Sequence, residues 1–161
     1  MPSLKGFRSN RRGPKSGQRK LADLDALVKT AFLTLLYNDI IYIMDSEHEI
    51  DRSHADLTMI IRPDKRYGKV FDVLIEFKFV TLKEAGLDGE KARKLSETEL
   101  RELPQMQNAL ETGRDQTFSY GDRLEKKHGN LRLKRFMVVS LGFERICFEA
   151  VGNYEKTEGH K

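Results

Sequence analysis

The stretch that most constrains this chain is Asp72-Val73-Leu74-Ile75-Glu76-Phe77-Lys78-Phe79-Val80. Branched and aromatic residues dominate it, which favours a pleated strand, expected over about Lys69 to Val80. Val73, Ile75, Phe77 and Phe79 alternate with Asp72, Leu74, Glu76 and Lys78, so Glu76 and Lys78 point to one face. Two residues along a strand advance roughly 7 Å, which sets a carboxylate beside an ammonium, both within reach of one phosphodiester.

The other elements follow from period and punctuation. Leu21, Leu24, Leu27, Val28, Ala31, Phe32, Leu35 and Leu36 recur at helical spacing and predict a helix at about 20 to 37. Tyr37-Asn38-Asp39 breaks it, and a strand is expected from Ile40 to near Glu49. Asp51-Arg52-Ser53 reads as a hairpin turn into a second strand, about His54 to Arg62, and the turn from Pro63 to Gly68 leads into the strand described above. Residues 81 to 103 predict a loop with one short helix, where Ser96 and Glu99 form a capping box. Pro104 suits the first turn of a longer helix with Met106, Ala109, Leu110, Gly113, Thr117, Tyr120 and Leu124 inward and Gly129 as its stop. Strands near Leu131 to Leu141 and Arg145 to Val151 close the chain around a turn at Gly142. The order α-β-β-β-α-β-β predicts an α/β sandwich around a central mixed sheet of about five strands flanked by helices.

A chain of 161 residues, 39% hydrophobic, accommodates one ordinary core, expected over 21 to 152, with residues 153 to 161 as a frayed tail. Cys147 is the sole cysteine and alternates into a strand interior, so packing is its expected role; no charged-then-apolar leader opens the sequence, and a reducing cytoplasm fits. The apolar runs fall far short of the roughly 20 residues of a membrane helix. Net charge is +4, yet Lys5, Arg8, Arg11, Arg12, Lys15, Arg19 and Lys20 are unopposed by any acid in residues 1 to 20, which leaves 22 basic against 25 acidic residues elsewhere. Rich in Gly, Pro and Ser, this arm reads as flexible when alone. Arg8, Arg11, Arg12, Lys15, Arg19 and Lys20 are its candidate phosphate contacts, and a solvated linker is the alternative reading.

If the second strand pairs antiparallel with the third through the 63 to 68 turn, Asp56 falls opposite the Glu76 region. Two acids and a lysine then converge. Two carboxylates about 4 Å apart repel by around 4 kcal/mol at an effective dielectric of 20, so the arrangement makes more sense around a divalent cation. Hard oxygen ligands suit Mg2+ or Mn2+, which polarises a phosphate and acidifies bound water, while Lys78 orients the water or stabilises transition-state charge. An isolated E-x-K on a half-exposed strand is more often a solvated pair; the apolar strand, the acid on the preceding strand and the flanking helices favour chemistry here. Gln116 lies three residues after Gly113 and four before Tyr120, on the inward stripe, where a buried amide needs partners that an acidic site supplies.

With these residues in place, the chain resembles the PD-(D/E)XK nuclease superfamily, and within it the C-terminal nuclease domain often joined to an AAA-type ATPase-like domain. The resemblance covers about residues 22 to 152. Asp25-Ala26-Leu27-Val28-Lys29-Thr30-Ala31-Phe32 resembles that group's first helix, with Asp25 at its acidic position; Glu47 resembles the strand acid shortly before the metal-binding aspartate, here Asp56. Ile75-Glu76-Phe77-Lys78 matches the (D/E)-x-K strand, and Pro104, Ala109-Leu110, Gln116 and Tyr120, with the segment from Leu131 to Arg145, look like the later helix and strands. Where relatives usually carry Gly-Arg ahead of the strand aspartate, this chain has Ser53-His54-Ala55, so a phosphate contact from that arginine is missing. The ATPase-like domain is also absent, as in a fragment, a stand-alone module or one half of a split system.

What the resemblance implies is a restriction-endonuclease-like sandwich with a Mg2+- or Mn2+-dependent endo- or exonuclease site: Asp56, Glu76, Lys78 and Gln116 catalytic; Asp56, Glu76 and Glu47 holding metal; Asp25 an additional acid. The expected substrate is nucleic acid, DNA first. The alternative is a non-catalytic nucleic-acid-binding or regulatory module working with an AAA-type ATPase-like partner. A third reading, a dimeric resolvase- or transposition-type enzyme, requires two sites at fixed spacing in a homodimer. Asp25 also reads as a first-turn dipole or capping group, and His54 as a surface or core-edge histidine.

Overall fold

The computed structural model describes residues 16–50 and 53–152, with side chains described for 24–46 and 55–152. Helix α1 spans Ser16–Leu36, followed by strands β1 (Tyr42–Ile50), β2 (Ser53–Ile61) and β3 (Asp72–Val80). Two short helices, α2 (Gly89–Lys94) and α3 (Glu97–Glu102), lead into α4 (Pro104–His128), and β4 (Leu133–Leu141) and β5 (Arg145–Ala150) complete the chain. The sheet has five strands in the order β1-β2-β3-β4-β5. Its neighbours are antiparallel except β3 and β4, which run parallel because α2 to α4 carry the chain back across one face. The chain is thus an α/β protein with a mixed sheet flanked by helices, as its element order predicts.

β3 sits at the centre and is buried on both faces, which explains its near-continuous apolar character. On one side Ile75 and Phe77 join Leu57, Met59, Val138 and, from α1, Val28. There the Phe32 and Phe77 rings meet at 4.9 Å between centroids, tilted by 59°. On the other side Val80, Met137, Val139, Leu141 and Cys147 pack with Met106 and Leu110 of α4, so Cys147 is a packing residue. α1 uses only part of its apolar repertoire: Leu27, Leu35 and Leu36 are exposed although their spacing placed them on the inward face. Among the described residues no helix is long and apolar enough to cross a membrane.

Local signals account for most boundaries. Pro104 occupies the first turn of α4, and Gly129 ends it at φ 74°, donating its N–H to the Glu125 carbonyl at 2.8 Å. Ser96 and Glu99 form the expected capping box. The loop holds a second helix that the sequence reading did not place, α2, capped by Asp88, whose carboxylate accepts the Lys91 N–H. α1 begins at Ser16 rather than near residue 20, so the last part of the expected arm is helical backbone. β1 starts at Tyr42 because Asn38 extends the turn, its Oδ1 accepting the Ile41 N–H at 3.2 Å. β3 starts at Asp72, after a turn through Gly68 at φ 93°.

On α4 the buried stripe is Met106, Leu110, Gly113, Thr117, Gly121 and Leu124; Ala109 and Tyr120, expected inward, are half-buried. The two glycines are there for proximity. A Cβ on Gly121 would overlap the Arg135 guanidinium, and one on Gly113 would overlap the Met137 sulfur and touch Cγ of Lys78 at 3.4 Å. α4 therefore lies close against the Lys78 side of β3.

Candidate functional site

The β2–β3 ladder runs from Met59↔Val73 to Leu57↔Ile75. One residue on, the Asp56 side chain takes over the strand's role: its Oδ2 accepts the Phe77 N–H at 2.8 Å. The carboxylate is thereby fixed beside the Glu76 position, as antiparallel pairing of the two strands implied. Its other oxygen, Oδ1, lies 2.6 Å from Lys29 Nζ of α1, and the same ammonium meets Asp25 at 2.9 Å. Burial alone would lower the Lys29 pKa, but the hydrogen bonds to Asp56 and Asp25 outweigh it and leave it raised, so this lysine stays charged.

Glu76 is 3% exposed. Its Oε1 accepts from Lys78 Nζ at 2.7 Å, and its Oε2 is buried with no hydrogen-bond partner among the described residues. Burial first, and then the charge of Asp56, push its pKa above the ordinary carboxylate range against the opposing pull of Lys78 and Lys29. From α4, Tyr120 stands within the field of both acids: burial, then Glu76 and Asp56, raise its phenol. Between Gly113, where an added Cβ would meet Lys78, and Tyr120, the intervening turn presents Gln116, whose Oε1 is also buried without a partner among the described residues. Unpaired buried polar atoms are uncommon and costly; among the described residues Ser140 Oγ of β4 is a third, and Glu76 and Gln116 lie on facing elements.

The structure thus brings together Asp56, Glu76 and Lys78, joins Asp25 to them through Lys29, and sets Gln116 on the helix face above. Glu47 holds the register position opposite Asp56, between the pairs Ser46↔Leu57 and His48↔Ala55, and its side chain lies outside the described residues. Arg8, Arg11, Arg12 and Lys15 also lie outside them; Arg19 and Lys20 fall within the α1 backbone with side chains not described. Lys29 and Tyr120 were not placed at the site from sequence. Lys29 carried one usable signal, its spacing of four from Asp25.

Among the described residues no three His, Cys, Asp or Glu side chains cluster as a metal-binding group. The donor set nevertheless suits a hard divalent cation: two carboxylates held by different strands, one with a buried oxygen that has no partner among the described residues. An ionised Glu76 costs stability here. Because its pKa is raised in the folded state, its contribution is fully present below the ordinary carboxylate range and is lost as pH rises through the raised value. Glu76→Gln should therefore melt at a higher temperature than the unmodified chain at neutral pH in chelator, and the gap should close on acidification toward the ordinary carboxylate range. Thermal melts of the two proteins across that range check this; a gap that widens on acidification would contradict it.

In the comparisons with known proteins no family model, no curated protein and no solved structure matches this chain.

Proposed function

We propose that this chain is a metal-dependent nuclease of the PD-(D/E)XK type, a restriction-endonuclease-like sandwich that hydrolyses phosphodiester bonds in nucleic acid, with DNA as the expected substrate. The observation that carries this reading is the Oε2 of Glu76, buried and without a partner among the described residues, in the field of Asp56 and beside Lys78. The five-stranded mixed sheet between helices supports the fold assignment. Asp56 and Glu76 would hold Mg2+ or Mn2+, with Glu47 as the third ligand. Bound there, the cation supplies charge for the phosphoryl oxygen and acidifies water.

The chain's own groups do the rest. Asp56 is held in place by the Phe77 amide, so its carboxylate would act as a ligand once Lys29 yields Oδ1 to the cation. Lys78 is steered by Glu76 and by the close approach of α4 at Gly113, and its positive charge would serve a scissile phosphate as it gains negative charge. Gln116 offers an amide able to orient water or a phosphate oxygen. The basic segment before α1 would add sequence-independent phosphate contacts.

One observation favours the non-catalytic module, with an AAA-type ATPase as partner: the Lys29 ammonium already neutralises Asp56. Metal binding separates the two readings. In the nuclease reading, Mg2+ or Mn2+ at about 100 times its Kd stabilises the fold by about 2.7 kcal/mol, or roughly 5–10 °C in Tm. Asp56→Asn should lose most of this. Calorimetric titration and melts check it, and equal binding by both proteins would place the metal elsewhere.

A further inference from the structure

Beyond Lys78, on the side away from Glu76, the end of β3 and the first half of α4 enclose a cleft of about 310 Å³. Lys78, Val80, Glu84, Gln105, Asn108 and Thr112 line it. The last three share one face of α4, at successive spacings of three and four. None of their side chains makes a hydrogen bond among the described residues, although each can donate and accept. Glu84 is held rigidly, its Oε2 accepting from the Thr81 N–H at 2.8 Å and from the Thr81 hydroxyl at 2.7 Å.

The charge distribution decides what fits. Among the described residues Lys78 is the one cation lining the cleft, and it stands at the end toward the proposed catalytic acids. The remainder carries a carboxylate, two amides and a hydroxyl beside the apolar Phe79, Val80 and Ala109, a lining that repels a second phosphate and complements the face and edge of a base and a sugar hydroxyl. The volume sits at the small end of ligand cavities, roughly 300 Å³ and upward, and admits one nucleoside but no base pair. A base already paired has its hydrogen-bonding edge occupied and cannot enter without leaving the stack.

We infer that this cleft is a subsite for the unpaired nucleoside next to the scissile phosphate, with Gln105 and Asn108 contacting the base and Thr112 the sugar or base edge. The inference rests on the nuclease reading and names its substrate class: a single strand, a frayed end or an extruded nucleotide. Lys78 takes the phosphate, and the amides of α4 take the base that follows it.

The test uses the full chain and its Gln105→Ala/Asn108→Ala double variant, with Thr112→Val beside them. These side chains are unbonded and lie at the surface or partly so, so melting temperatures should stay together. Fluorescence anisotropy in chelator measures binding of a labelled mixed-sequence 12-mer, single-stranded or as a blunt duplex. The double variant should lose about tenfold or more in affinity for the single strand, as two base contacts would, and stay within about twofold on the duplex. With Mg2+, KM for the single strand should rise by a similar factor. An equal loss on both forms, no loss on either, or binding of the duplex alone by the unmodified chain overturns the subsite while cleavage still upholds the nuclease. A selective loss of single-strand binding with no cleavage of any substrate upholds a nucleoside-binding cleft but overturns the nuclease and, with it, the place of the cleft beside a scissile phosphate.

Discussion

Replacing Lys78 with alanine, or Glu76 with glutamine, will lower the rate of metal-dependent cleavage by about 100- to 1000-fold or more and leave nucleic-acid binding within a few-fold. Binding draws on many phosphate contacts, of which Lys78 supplies at most one. Turnover depends on groups acting together at one transition state, so removing either costs most of the rate. The two variants should part company on metal. Glu76→Gln loses a ligand and binds Mg2+ or Mn2+ more weakly, whereas Lys78→Ala removes a positive charge 2.7 Å from Glu76 Oε1 and should bind metal as well or better. Single-turnover rates, anisotropy and calorimetric titration on the same preparations read all three quantities. Loss of binding in parallel with loss of rate would assign these residues to holding the nucleic acid rather than to the reaction.

The second large effect is on stability and concerns Asp72, fully buried at the start of β3. Its Oδ1 accepts from the Ile61 N–H at 2.8 Å and from Arg66 at 3.0 Å; its Oδ2 accepts from the Arg132 N–H at 2.9 Å and from Arg66 at 3.1 Å. One carboxylate thus ties the end of β2, the intervening turn and the entry to β4 to the central strand. Asp72→Ala leaves two backbone donors and a guanidinium group facing a buried gap, at a cost of about 3–5 kcal/mol. A domain of this size has about 5–15 kcal/mol in total, so the melting point should fall by roughly 10 °C. Asp72→Asn keeps one acceptor and should fall between. Urea unfolding measures the difference, and a loss under about 1 kcal/mol would mean that water replaces the carboxylate without penalty.

The parts of this architecture written in local pattern were legible without coordinates. β3 was legible because alternation on a pleated strand is strict, and with it the shared face of Glu76 and Lys78. Asp56 was legible because a short turn forces antiparallel pairing, and Leu57↔Ile75 is the register that sets it beside Glu76. Pro104, Gly129 and the Ser96–Glu99 box carry their meaning in backbone chemistry alone. What stayed hidden depends on partners distant in sequence. Lys29 looks like an ordinary α1 lysine until β2 brings Asp56 to it. Gly121 looks like a weak helical residue until Arg135 fills the space that a side chain would take. The start of α1 at Ser16 was masked by Gly17 and the basic run, which local propensity reads as arm.

The most direct measurement of the central claim is incubation of the full chain with supercoiled plasmid, linear duplex, single-stranded DNA and RNA, with Mg2+ or Mn2+ and again with excess chelator, beside Lys78→Ala under the same conditions. Nicked, linear or shortened products should form with either metal on at least one substrate, vanish in chelator, and be absent or at least about 100-fold slower with Lys78→Ala. No product on any substrate with either metal, or products that form equally in chelator or with Lys78→Ala, would contradict the nuclease reading and leave the binding module in its place.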